Sequence, residues 1–71
     1  MNETEAVELA ADSARREGYD TRRYDIEAER KDVRWEIHFR RKSEDKPRPG
    51  DFFTVHVDDE SGSVQRIVHG K

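Results

Sequence analysis

The sequence predicts a single α+β domain in which one N-terminal helix packs on a four-stranded antiparallel sheet, in the order α-β-β-β-β. Near the N-terminus, apolar residues recur at the spacing of an amphipathic helix. Further along, apolar and charged residues alternate over several segments, as they do in strands with one buried face. Polar segments containing glycine or proline separate some of these strands. Because the chain has 71 residues, we expect one domain spanning 1–71.

The helix is predicted to run from Asn2 to Glu17. Asn2 and Glu5 have the spacing of a capping box, and Gly18 suits the left-handed position that ends a helix. Tyr19 is then expected to fold back onto the last turn of the helix, at Ala14. The apolar residues at helical spacing are Ala6, Val7, Ala10 and Ala14, with Leu9 widening the stripe.

The first two strands are predicted to form a hairpin over residues 24–40. A tight turn at Arg30-Lys31 pairs Ala28 with Val33 and Ile26 with Trp35 in this prediction. The residues expected to face the helix are Tyr24, Ile26, Ala28, Val33, Trp35, Ile37 and Phe39.

A third strand is predicted from Asp51 to Asp58, with Phe53 lying opposite Phe39 on the inner face. The same register places Glu36 opposite His56 on the outer face, so apolar pairs and charge pairs agree.

A turn and a last strand are predicted after the third strand. Gly62 occupies the left-handed position of the turn. In the last strand, from Val64 to His69, three apolar residues cannot all face one way. A bulge or an early end is therefore expected there.

Composition restricts the class of protein. The chain has no cysteine, so disulfides and thiolate metal sites are excluded. No apolar run is long enough to span a membrane, and the acidic start lacks the features of a signal peptide, so we expect a cytoplasmic protein. The net charge of −3 does not favour nucleic-acid binding.

One segment carries a resemblance to a known family. The pattern Phe53-x-Val55-x-Val57-Asp58-x-x-x-Gly62-x-Val64, behind an alanine-rich helix, resembles the PepSY family. A helix against a curved antiparallel sheet is also similar to cystatin-like folds. The resemblance implies a non-catalytic module that binds or restrains peptidases or other proteins. Because PepSY domains commonly occur in exported or membrane-linked proteins and this chain shows no export signal, only the binding role is carried over.

The histidines are the first candidates for chemistry. His38 and His56 are predicted to lie diagonally close on the outer face, with Glu36 as the nearest carboxylate and His69 near the end of the sheet. A usual zinc site needs a third protein ligand, so we expect solvated histidines and neither a metal site nor a cofactor. The acidic run Asp58-Asp59-Glu60 lacks the spacing of a calcium loop and is interpreted as a charged turn. No catalytic constellation is found, and we expect a protein that is not an enzyme.

The interaction surface is predicted around Phe52, the one large apolar residue whose position points outward. The other residues expected to bind a partner are His38, His56, Arg40 and Thr54. The sequence thus predicts a protein-binding module whose partner is another protein or a second copy, bound on the open sheet face or at an edge strand. The alternative is binding of single-stranded nucleic acid through the basic loop 40–48 and Phe52.

Overall fold

The computed structural model describes residues 1–41 and 52–69. It has one α-helix, one short 3-10 turn at Thr21–Arg23, and four strands that form one antiparallel sheet in the order β1-β2-β3-β4. These elements are α1 (Glu3–Arg16), β1 (Tyr24–Lys31), β2 (Arg34–Arg41), β3 (Phe52–Asp58) and β4 (Val64–His69). The predicted fold class, a helix packed on a four-stranded antiparallel sheet, is confirmed.

Both ends of α1 are closed by the hydrogen bonds that the sequence predicts. The Asn2 side chain accepts a hydrogen bond from the Glu5 amide at 2.8 Å, and the Glu5 carboxylate accepts one from the Asn2 amide at 3.0 Å. At the other end, Gly18 has a φ of 99°, and the Tyr19 amide donates to the Ala14 carbonyl at 3.0 Å. The chain therefore reverses at Gly18 and brings the Tyr19 side chain back over the sheet.

The helix meets the sheet through small side chains. Its buried residues are Ala6, Ala10, Ala11 and Ala14, whereas Val7 and Leu9 are only partly buried. Opposite them lies the inner face of the two central strands, formed by Trp35, Ile37, Phe39, Phe53, Val55 and Val57. A stripe of alanines lets the helix backbone approach these larger residues, so the core is one layer of large side chains under a flat helix face.

Aromatic rings close the core at the end of α1. Phe39 and Phe53 stack with ring centroids 4.7 Å apart, and Tyr19 stacks on Phe53 at 4.2 Å. Tyr24 meets Phe53 edge to face at 5.3 Å. These contacts join the helix end and the start of β1 to the middle of the sheet.

The register of β2 on β3 is the predicted one on both faces. Phe39 lies opposite Phe53 inside, and Glu36 lies opposite His56 outside. The prediction succeeds because two independent patterns, apolar pairs and polar pairs, select the same alignment.

The predicted register of β1 on β2 is wrong. The turn falls at Asp32-Val33, and Ala28 pairs with Ile37, four residues further along β2 than predicted. An even shift keeps every side chain on its predicted face, so hydrophobic alternation does not distinguish the two registers. Asp32 has a φ of 51°, a left-handed conformation that aspartate tolerates better than most residues.

Two predicted core residues are exposed. Val33 lies in the turn and is 67% exposed, and Ile26 on the edge strand β1 is 38% exposed. The helix lies over the central strands, so the inner face of β1 is only partly covered.

The last strand has the irregularity that its sequence predicts. The pairing of β4 on β3 shifts between His56 and Val57, as a bulge requires. His56 pairs with Arg66, and Val57 pairs with Val64. Gly62 in the preceding turn has a φ of 73°. The predicted bulge and the predicted left-handed glycine are both confirmed.

The turn between β3 and β4 is tied to the first hairpin by Asp59. Its carboxylate accepts a hydrogen bond from the Trp35 indole N–H at 2.8 Å and from the Arg30 guanidinium at 2.9 Å. Asp58, the neighbouring acidic residue, accepts from the Ser61 hydroxyl at 2.7 Å within the turn. Asp58 therefore stabilises the turn itself, and Asp59 joins the turn to the first hairpin, in agreement with its interpretation as a charged turn.

The two adjacent phenylalanines of β3 provide a test of the sheet faces. We expect Phe53→Ala to lower the free energy of unfolding by about 3–5 kcal/mol, because it opens a cavity among stacked rings. Phe52→Ala is expected to cost about 1 kcal/mol or less, because that ring lies on the outer face. Urea unfolding of both variants measures the difference, and equal losses would mean that the assignment of faces is wrong.

The Asp59 contacts provide a second test. Asp59→Ala leaves the partly buried Trp35 N–H without its acceptor, and we expect a loss of about 1–3 kcal/mol in the free energy of unfolding. Asp59→Asn keeps an acceptor oxygen and is expected to lose less. Chemical denaturation of the two variants, with Glu60→Ala as the control in the same turn, checks this order.

Candidate functional site

The outer face of the sheet is opposite the helix and carries the predicted site residues. The strand pairing brings Arg40 beside Phe52 and His38 beside Thr54 on β2 and β3. On β4, Val68 lies beside Thr54 and is 40% exposed. We call this group of six residues the outer-face patch: His38, Arg40, Phe52, Thr54, His56 and Val68.

His38 is held in place on both sides of its ring. Its Nδ1 lies 2.9 Å from the Thr54 hydroxyl, and its Nε2 lies 3.3 Å from the Glu29 carboxylate. Because neighbouring strands position both partners, the imidazole has little freedom to rotate. The half-buried ring therefore presents a defined polar surface next to Phe52.

His56 is buried, which differs from the solvated histidine that the sequence predicts. The residue is only 9% exposed although it lies on the outer face. Glu36 and Arg66 lie opposite it on the two flanking strands, and such long side chains shield a central residue from water. Burial lowers the pKa of His56, the Glu36 charge opposes this, and the positive charges of Arg34 and Arg66 and the nearby His38 lower it further.

Glu36 is the best-paired carboxylate on this face. Its oxygen accepts hydrogen bonds from the Arg34 guanidinium at 2.9 and 3.2 Å. Burial raises the pKa of Glu36, but the hydrogen bonds from Arg34 and the charges of Lys31, Arg34 and His56 outweigh it, so the pKa lies below its ordinary value. Glu36 is therefore an ionised partner of Arg34.

The structure places the Glu29 carboxylate beside Glu36 and His38 on the outer face. The sequence did not predict this third possible ligand. The possible ligand atoms of Glu29, Glu36 and His38 all lie within 4.8 Å of one another. Glu29 was missed because the predicted register placed it opposite Asp32. In this register Arg34 compensates Glu36, and the Lys31 ammonium lies 3.9 Å from Glu29. The three groups are thus part of an ionic network that already contains its cations.

Thr54, His38 and Glu29 form a series of contacts from a hydroxyl to an imidazole to a carboxylate, as in a catalytic triad. A catalytic arrangement of this kind also needs donors that stabilise an oxyanion. Thr54 lies on β3, which pairs with strands on both sides, so the backbone amides around it belong to the sheet ladder. Among the described residues, the arrangement therefore positions the His38 ring.

A scan of family models, a search of curated proteins and a search of solved structures each found no match to the chain. The resemblance to the PepSY family and to cystatin-like folds therefore stays a prediction.

No helix in residues 1–41 and 52–69 is both long and apolar enough to cross a membrane.

The remaining predicted groups lie in different places. His69 is not on the outer face: its Nδ1 lies 3.0 Å from the Tyr19 hydroxyl near the end of the helix. In the alternative nucleic-acid site, Arg40 is exposed on β2 beside Phe52, whereas residues 42–48 lie outside the described residues.

Val68 was missed because the bulge in β4 changes its face, and only the irregular spacing of apolar residues signals that change.

The burial of His56 predicts a pH dependence. Because its pKa is lower in the folded state, the unfolded chain binds the proton more readily as the pH falls below the ordinary value of 6.5. We expect the free energy of unfolding to decrease between pH 7.5 and 5.5, and to decrease less in His56→Gln. Urea unfolding across this range measures the effect, and identical slopes for the two proteins would contradict it.

Proposed function

We propose that the protein is a non-enzymatic binding module that docks a protein partner on the outer-face patch. The observation that carries the proposal is the uneven covering of the sheet: α1 covers the inner face, while Phe52 and Val68 lie on the opposite face. Phe52 is half-buried and Val68 is partly exposed. Apolar side chains bordered by polar groups are typical of a protein-binding surface.

The polar groups around the apolar residues support docking because they are already ordered. His38 is held by Thr54 and Glu29, and His56 is buried between its cross-strand neighbours. A partner that contacts His38 does not have to immobilise its ring, which reduces the entropic cost of binding. Arg40, exposed beside Phe52, adds a charged group that steers and orients a partner.

The proposal is tested by placing a charge at Phe52, an apolar residue of the patch. We expect Phe52→Glu to abolish capture of the partner from a native lysate of the source organism, followed by mass spectrometry. The free energy of unfolding is expected to change by about 1 kcal/mol or less, because the ring is on the outer face. The matched control is Val33→Glu, which adds the same charge to an exposed apolar position at the opposite end of β2.

Three outcomes would contradict the proposal. Capture of the same proteins by wild type and Phe52→Glu would remove the patch as the binding surface, and unfolding of Phe52→Glu would place the ring in the core. Salt-sensitive binding of single-stranded DNA or RNA, lost in Phe52→Glu, would favour the nucleic-acid alternative.

A further inference from the structure

We infer that the edge of β1, which pairs with no second strand among the described residues, and the groove between this strand and α1 bind an extended peptide segment of alternating apolar and basic residues by strand addition. This surface is centred on a different strand from the outer-face patch, and the two share one contact, between Glu29 and His38.

The first observation is the position of β1 in the sheet. The strand order places β1 at one edge, paired with β2 on one side. It is eight residues long, and all eight pair with β2, so the strand is regular up to the turn. An edge strand of this length presents a row of backbone N–H and C=O groups that a partner strand can pair with.

The second observation is an apolar groove beside that edge. Its volume is about 330 Å³, and it is lined by Glu3, Thr4, Val7, Glu8, Ile26 and Ala28. Ile26 is 38% exposed, and Val7 and Ala28 are only partly buried. Apolar side chains of an added strand that point to the inner face would enter this groove and cover Ile26.

The third observation is charge. On the outer face of β1, the carboxylates of Asp25, Glu27 and Glu29 form one row, because alternate residues of a strand share a face. Glu3 and Glu8 add negative charge on the helix side of the groove. At the hairpin end the charges are paired: Arg30 binds Asp59, and the Lys31 ammonium lies 3.9 Å from Glu29. The edge is therefore acidic mainly at Asp25 and Glu27 and at the groove.

These observations together specify the occupant. In a strand paired with β1, alternate residues lie next to the acidic row and the others lie next to Ile26 and Ala28. Basic residues suit the first positions and apolar residues suit the second. The same carboxylates repel acidic strands, so the charge that protects the edge from general aggregation also favours a basic partner.

A second copy of the chain fits this edge less well than a foreign segment. Pairing of β1 with β1 of another copy brings two acidic rows together, which is unfavourable. β4 carries Arg66 and no carboxylate, so its charge suits β1. However, a β4-to-β1 contact joins two different surfaces and leaves a free edge at each end, so it produces open chains of molecules.

The experiment uses a fluorescent eight-residue peptide of alternating valine and lysine, matched to the length of β1, in an anisotropy titration with the intact protein. We expect binding that weakens as salt is added. The same peptide with glutamate in place of lysine is expected to bind at least about tenfold more weakly. Two analogues, N-methylated on one or the other set of alternate residues, distinguish strand pairing from simple charge attraction, and one of them must lose binding.

Matched variants locate the site. Ile26→Lys is expected to weaken peptide binding at least about tenfold, because it places a cation at the groove. Val68→Lys adds the same charge at a residue of equal exposure on the opposite edge strand and is expected to change binding by about twofold or less. Phe52→Glu is expected to bind the peptide like wild type, which separates this site from the outer-face patch.

Several results would overturn the inference. If both N-methylated analogues bind as tightly as the unmodified peptide, strand addition is excluded. If Ile26→Lys and Val68→Lys change peptide binding equally, the β1 edge is excluded as the site. Concentration-dependent association of the protein alone in sedimentation, abolished by Ile26→Lys, would replace the foreign segment by a second copy.

Discussion

The pairing of β2 with β3 is the constraint on which the rest of the structure depends. On the inner face it aligns Phe39 with Phe53, and these two rings form the centre of the core. On the outer face the same register sets His38 beside Thr54 and Arg40 beside Phe52. Because alternate residues of a strand point to opposite faces, one alignment determines both the hydrophobic core and the proposed binding patch.

The single helix α1, which packs through a stripe of alanines, leaves part of the sheet uncovered. Alanines allow close contact with the central strands, and the aromatic rings around Phe53 supply most of the bulk of the core. A single helix covers little more than two strands of the inner face, so Ile26 on β1 is partly exposed. Val68 on β4 is partly exposed because it lies on the outer face, opposite the helix. A chain of this size buries a limited fraction of its apolar surface, and the uncovered part is available for partners.

The sequence alone predicted the elements whose signals are local. The capping box at Asn2, the left-handed Gly18 and the bulge in β4 follow from residue types at short spacing, and all three are present. The position of the first hairpin turn was not predicted, because moving β2 by four residues leaves every face unchanged. That error displaced Glu29 from His38 and hid the ionic network between them.

The sequence by itself determined the fold class, the direction in which most side chains point and the candidate residues of the outer face. Only the tertiary structure decided how deeply each residue is buried and which groups meet across strands. His56 illustrates the difference: its outward direction follows from alternation, but its burial comes from Glu36 and Arg66 on two other strands. Periodicity along one strand defines a direction, whereas the neighbours across the sheet define the environment, and their identity depends on register.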